Sequence, residues 1–203
     1  TTHANIFYQT QNFKLNPRAT ADFVVATPFD NLYVMPSHPL LEELQGKLES
    51  RYKIYKLRDA LNELAGDFDC VFIDTPPALN FFTRSALIAA DACLIPFDCD
   101  EFSRKALYSL LENVEEIKSD HNRDLRVEGI VVNQFQPRAN LPQKVVQELI
   151  DEGLPVLQPY LSASVKIKES HEQARPMIHL DPKHKLSQEF VALYNTLART
   201  FGA

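Results

Sequence analysis

Glycine is scarce in this chain: five in 203 residues, at Gly46, Gly66, Gly129, Gly153 and Gly202, with no two close together. A phosphate-cradling loop needs glycines clustered so that successive backbone N–H groups can turn toward one anion, and none can be built from these. Apolar runs are short, none approaching the roughly 18 residues a bilayer span requires. No secretory signal opens the chain, and no membrane association is expected. The three cysteines, Cys70, Cys93 and Cys99, show no Cys-x-x-Cys spacing. Cys70 and Cys93 fall inside strand-like runs, so they read as buried thiols of a reducing cytoplasm. Positive charge is also short, with 21 Lys and Arg against 27 Asp and Glu and a net charge of -6. That balance argues against a surface coated for polyanions. It is uneven, however: residues 160–203 carry six Lys/Arg and four Asp/Glu, which leaves room for a local basic face.

What is present is a regular alternation. With 45% hydrophobic and 24% charged residues, the composition is that of an ordinary folded protein, and the length suits one domain. Strand-like runs at 31–37 (NLYVMPS), 70–73, 92–95 and 128–133 (EGIVVN) are separated by segments of helical period. Leu40, Leu41, Leu44 and Leu48 form one helical face. A second carries Leu57, Ala60, Leu61 and Leu64 and closes at Gly66. A short helix spans about Arg84 to Ala90, and a longer one from about Phe102 to Lys118 carries Leu107, Leu110, Leu111, Val114 and Ile117. The run LPQKVVQELIDEG is the next helix, LPVLQPYL a short strand and loop, and KLSQEFVALYNTLARTF a closing helix whose Phe190, Tyr194 and Phe201 are read as core contacts. Short, nearly all-apolar strands are what a sheet covered on both faces requires. The expected fold is a single α/β domain over 1–203, a doubly wound and mostly parallel sheet flanked by helices. Residues 1–30 have no clear period.

The run CVFIDTPP, residues 70–77, ends four apolar residues on Asp74. In such sheets ligands bind beyond the carboxyl ends of the strands. An acid there can hold magnesium through water while the ion bridges nucleotide phosphates. The same pattern also arises where an Asp merely caps the following turn.

The stretch DFDCVFIDTPPALNFFTRSALIAADACLIPFDCDEF resembles that of ParA-type partition ATPases, relatives of Soj and MinD, which spans Walker B and the next strand and helix. EGIVVNQFQPRANLPQKVVQEL, SVKIKES and RPMIHLDPKHKLSQEF follow in the family's order, so the resemblance covers about residues 31–200. It implies a P-loop NTPase-like fold and ATP and Mg as cofactors. Asp74 would then hold the magnesium-water shell, with Thr75, Pro76 and Pro77 shaping the loop beside the γ-phosphate. Asn133 would bond the adenine edge, and the loop Pro176 to Pro182, with Asp181, would close over the base. Arg138 and Lys166 match positions that contact DNA phosphates without reading sequence. The implied function is a partition or positioning ATPase. ATP makes it a homodimer on nonspecific DNA, a ParB-like adaptor stimulates hydrolysis, and it is cytoplasmic and nucleoid-associated.

Family members open with a strand and a Lys-Gly-Gly-x-Gly-Lys-Thr/Ser loop, then a second strand with an Asp that helps position water. Neither is found here, so the chain is expected to start inside the family pattern and to lack ATPase activity as it stands. Losing a normally central strand would leave a sheet with an exposed edge. Two alternatives remain open: a nucleotide-independent scaffold or regulatory remnant, and a relative of the ATP-dependent cobyrinic acid amidating enzymes. His179, Asp181 and His184 in HLDPKH could be drawn as a metal site, but an Asp-Pro turn accounts for them. Ser37-His38 lacks the glycines of a nucleophile elbow.

Overall fold

The computed structural model describes Phe7 and residues 18–201. The chain forms two compact units. One comprises residues 1–91 and 114–125, the other 92–113 and 126–203.

The second unit holds the parallel sheet. Strand β3 (Ala92–Asp98) pairs in parallel with β4 (Arg126–Asn133), with Ile95 opposite Ile130, Phe97 opposite Val132 and Asp98 opposite Asn133. Ala92–Phe97 of β3 and Ile130–Val132 of β4 are apolar because side chains there alternate between two covered faces. On one face Ile95, Phe97, Ile130 and Val132 pack with Leu107 of α4 (Glu101–Asp120) and with Val145, Val146 and Leu149 of α5 (Asn140–Asp151). Leu94 and Val131 point the other way, onto Leu161, Met177, Leu186, Leu193 and Leu197. Burying each of these side chains contributes about 1.5–3 kcal/mol. The expected strand in LPVLQPYL is reduced to single parallel bridges, Ile130 with Val156 and Phe135 with Ser162. Arg104 clamps α4 to α5 through Glu148 (2.6 Å) and Glu152 (2.8 Å), and Glu152 also accepts from the Tyr108 hydroxyl. Three further helices follow: α6 (Lys166–Glu172), the single turn α7 (Met177–Leu180) and α8 (Lys185–Phe201). The buried face of α8 is leucine, not aromatic. Leu186, Leu193 and Leu197 are buried while Phe190 and Tyr194 are 40% and 58% exposed, which corrects the reading of those two rings as core. The Phe201 side chain lies outside the described residues.

The first unit is helical, with little sheet. A 3₁₀ turn (Thr20–Phe23) precedes β1 (Val25–Ala26), which pairs antiparallel with β2 (Tyr33–Val34). The expected strand at 31–37 is therefore a two-residue hairpin arm, since its polar and Pro-containing flanks cannot extend the ladder. Helices α1 (Leu41–Ser50), α2 (Lys56–Glu63) and α3 (Phe81–Ala89) bury Leu44, Leu48, Ala60 and Phe81 together, with Phe7 edge-on to Phe81 and Phe82. Gly66, with φ at +95°, makes the turn that ends this helical run. Polar side chains tie the pieces together. Ser85 Oγ donates to the Ile54 carbonyl (2.8 Å), Asn122 Nδ2 to those of Leu87 and Ala90, and the Tyr55 hydroxyl meets His121 Nδ1 at 2.8 Å.

The expected strand at Cys70–Ile73 is not formed. These residues carry no strand pairing. Val71 and Phe72 are 51% and 69% exposed, and Cys70 is an exposed thiol rather than a buried one. A strand is defined by its neighbours, and none of the described residues offers this segment a partner.

Candidate functional site

In the first unit the candidate residues lie on the loop between Cys70 and helix α3. Asp74, Thr75 and Pro76 are all exposed. Asp74 is not a turn cap. Its carboxylate has no hydrogen-bond or ion-pair partner among the described residues, and the cap of α3 is Asn80, whose Oδ1 accepts from the N–H groups of Phe82 (3.0 Å) and Thr83 (3.1 Å). Thr83 Oγ1 reaches back to the carbonyls of Ala78 (2.7 Å) and Pro76 (3.4 Å). The far end of the loop is thus anchored to the first turn of α3, while the acid is free to accept hydrogen bonds from water on a cation.

In the second unit the carboxyl ends of the paired strands carry Asp98 and Asn133 side by side. Gln134, at φ +50°, donates from Nε2 to Asp98 (3.2 Å), while the Asn133 amide has no partner among the described residues. Beyond it the chain runs past an open cleft of about 640 Å³, lined among others by Phe135, Arg138, Ser162, Ser164, His184 and Lys185. Arg138 is exposed there without a partner among the described residues. Lys185 is engaged, 2.8 Å from Ser162 Oγ and 3.2 Å from Glu189. Burial pushes the Glu189 carboxyl up. The N–H and hydroxyl of Ser162, with Lys185, outweigh that and hold it below the usual carboxylate range.

Lys166 starts α6 and is ion-paired to Glu169 at 2.7 Å. That bond and its charge raise the ammonium above its ordinary value, with a smaller contribution from Asp181. Its charge is therefore partly spent within its own helix, unlike that of Arg138. The loop Pro176 to Pro182 contains α7, so it is wound rather than open. Ser187 Oγ holds it through the Asp181 carbonyl (2.6 Å), and Gln188 Nε2 through that of Pro182 (2.6 Å). Among the described residues no cluster of His, Cys, Asp and Glu could hold a metal, so His179, Asp181 and His184 do not converge as one. No described helix is long and apolar enough to cross a membrane.

Three side chains that anchor these segments were not singled out from the sequence. Asn80 was legible as an Asn just before an apolar helix. Ser162 and Glu189 lie 27 residues apart, and nothing local signals their bond.

A family model described as an AAA domain matches residues 3–127. The chromosome partitioning protein ParA of Myxococcus xanthus is 32% identical over 189 residues, covering 91% of this chain and 66% of its own length. The chain thus spans about two thirds of that relative. Among solved structures, a Cyanothece McdA in complex with ATP matches with a TM-score of 0.81 at 21% identity, over 98% of this chain and 75% of its own. Cobyrinic acid a,c-diamide synthase of Mycobacterium smegmatis, with a bound ATP analogue and magnesium, matches at 0.79 and 22% identity, over 100% and 73%. At those identities the structures speak to the fold, an α/β P-loop NTPase-like architecture with a parallel sheet flanked by helices. With the domain match and the relative in hand, the chain belongs to the ParA-type family of P-loop ATPases.

Proposed function

We propose that this chain derives from a partition or positioning ATPase that dimerises with ATP and Mg, binds DNA without sequence preference and is stimulated by a ParB-like adaptor. The observation that carries the reading is the unpartnered Asp74 carboxylate on a loop anchored by α3, in the family's own Asp-Thr-Pro-Pro context. The donor chemistry fits the cofactor in part. Asp74 suits a magnesium-bound water, Asn133 an adenine edge, and Pro176, Asp181 and Pro182 a wall beside the base. ATP supplies the phosphoryl group and the binding energy for dimerisation. For the phosphates themselves the 203 residues hold no clustered glycines, so three or four negative charges would meet an acid without compensating N–H donors. These residues alone are therefore expected to release no phosphate from ATP. Turnover that disappears in Asp74→Ala would overturn that.

DNA contact is tested separately. Arg138, exposed in its cleft, is the better placed of the two candidate cations, and Lys166 the weaker because Glu169 competes for it. In a fluorescence-anisotropy titration on random-sequence duplex, affinity falls steeply with salt, and Arg138→Ala lowers the log–log slope by about one. Lys166→Ala has a smaller effect. Salt-insensitive binding would reject the assignment. The reading as a nucleotide-independent scaffold is favoured by the glycine distribution, and it predicts DNA binding unaffected by ATP.

A further inference from the structure

Within the second unit, helix α8 is capped by a histidine. The His184 carbonyl accepts the first intrahelical bond, from the Gln188 N–H (3.1 Å), and its Nδ1 accepts from the Leu186 N–H (3.1 Å). A capping side chain has to accept, and an imidazole nitrogen accepts only while it carries no proton. The Leu186 amide can only donate, so Nδ1 is the bare nitrogen of a neutral ring. The ring proton then belongs on Nε2, 3.5 Å from Ser164 Oγ, an oxygen that also accepts from the Lys166 N–H (3.2 Å).

The turn held by this cap holds something else. Ser187, with no exposure at all, sets its Oγ 2.6 Å from the Asp181 carbonyl and 3.2 Å from that of Met177, and Gln188 Nε2 donates to the Pro182 carbonyl (2.6 Å). Residues 176–182 are thus fastened to the first turn of α8. A proton on Nδ1 would set a donor against the Leu186 N–H and a positive charge against the positive end of the helix dipole, and both effects disfavour the capped turn.

The charged and titratable groups around the ring are Arg138, which lines the same cleft, Lys166 with its partner Glu169 on α6, His179 on α7, Asp181 and Lys183 in the same turn, and Lys185 with its partner Glu189 on α8. Carboxyl, ammonium and guanidinium groups ordinarily titrate outside the range from about pH 5.5 to 8, and imidazoles within it.

We propose that His184 is a proton-operated latch. Neutral, it caps α8 and keeps residues 176–182 fastened to Ser187 and Gln188; protonated, it drops the Leu186 N–H and loosens the turn and the loop together. The inference is independent of the nucleotide and DNA readings, and its test contains neither ligand.

Hydrogen–deuterium exchange of the full chain is compared at about pH 8 and about pH 5.5, corrected for intrinsic exchange rates. Protection at Leu186, and at Leu180 and Asp181, whose N–H groups donate to the Pro176 and Met177 carbonyls, is expected to fall at least about fivefold at the lower pH, the effect of losing one cap. His184→Asn supplies a side-chain oxygen that caps without titrating, so its protection should be the same at both values; His179 remains in that variant as the internal control. Imidazole nitrogen shifts of the unsubstituted chain, which need no variant to fold, should show Nδ1 bare at the higher pH. Three results would overturn the proposal: Nδ1 carrying the proton of the neutral ring, protection at Leu186 unchanged between the two pH values, or the same acid-side loss in His184→Asn.

Discussion

At the scale of single residues, close approach and hydrogen bonding decide more than residue type. Gly129 in β4 shows this: a Cβ there would meet Leu157 Cγ at 2.3 Å and its two methyl carbons at 2.6 and 2.8 Å. Alanine would have to displace Leu157 from the core it shares with Leu161 and Met177, at a cost of about 1–3 kcal/mol. Urea unfolding should show Gly129→Ala destabilised and most of that loss absent when Leu157→Ala is already present; additive effects would refute the clash. Glu189 gives a pH-dependent counterpart. Its folded pKa is depressed, so its contribution to stability is full above the unfolded value of about 4.3 and is lost as pH falls through the folded one. Replacing Ser162 with alanine removes the hydroxyl bond, so the Glu189 carboxyl should titrate at higher pH in an NMR titration and the acid-side loss should shrink. Of the candidate side chains, Asp74 was legible because its chemistry is local to DTPP. That Lys166 is paired while Arg138 has no partner among the described residues was not, because the Glu169 pairing is set only once the helix is folded.

At the scale of elements, helices were legible and strands less so, for one physical reason. A helix satisfies its backbone within itself, so its apolar period is a sufficient signal; a strand is completed only by a neighbour. The expected faces on α1, α2 and α4 are found, with Leu44, Leu48, Ala60, Leu107, Val114 and Ile117 buried. So is the parallel pair, because 92–95 and 128–133 have each other. Cys70–Ile73 has the same apolar character but no partner among the described residues. The loop that follows depends on α3 instead. Asn80→Ala removes the acceptor for two N–H groups, a cap worth about 1 kcal/mol. Exchange at Phe82 and Thr83 should quicken in the variant. Unaltered exchange at both amides would mean that Asn80 does not cap the helix.

At the scale of the whole molecule the two units differ in how their backbones are satisfied, and that difference should appear as unequal stability. The second unit has a parallel pair with seven residue partnerships, two apolar faces covered by helices, and strand residues such as Ile130 and Val132 with no exposure at all. Among the described residues the first has a two-residue hairpin, the short helices α1, α2 and α3 packed into a small cluster, and the stretch Cys70–Thr75 with no hydrogen bonds. Opening free energies track buried apolar contact and protected backbone bonding, so amides of α2 and α3 should exchange through a lower-energy opening than those of β4. In low denaturant, native-state exchange should therefore resolve two classes of amide. The β4 class should merge with global unfolding, and the α2 and α3 class should lie below it. A single class covering both units would refute the difference in stability.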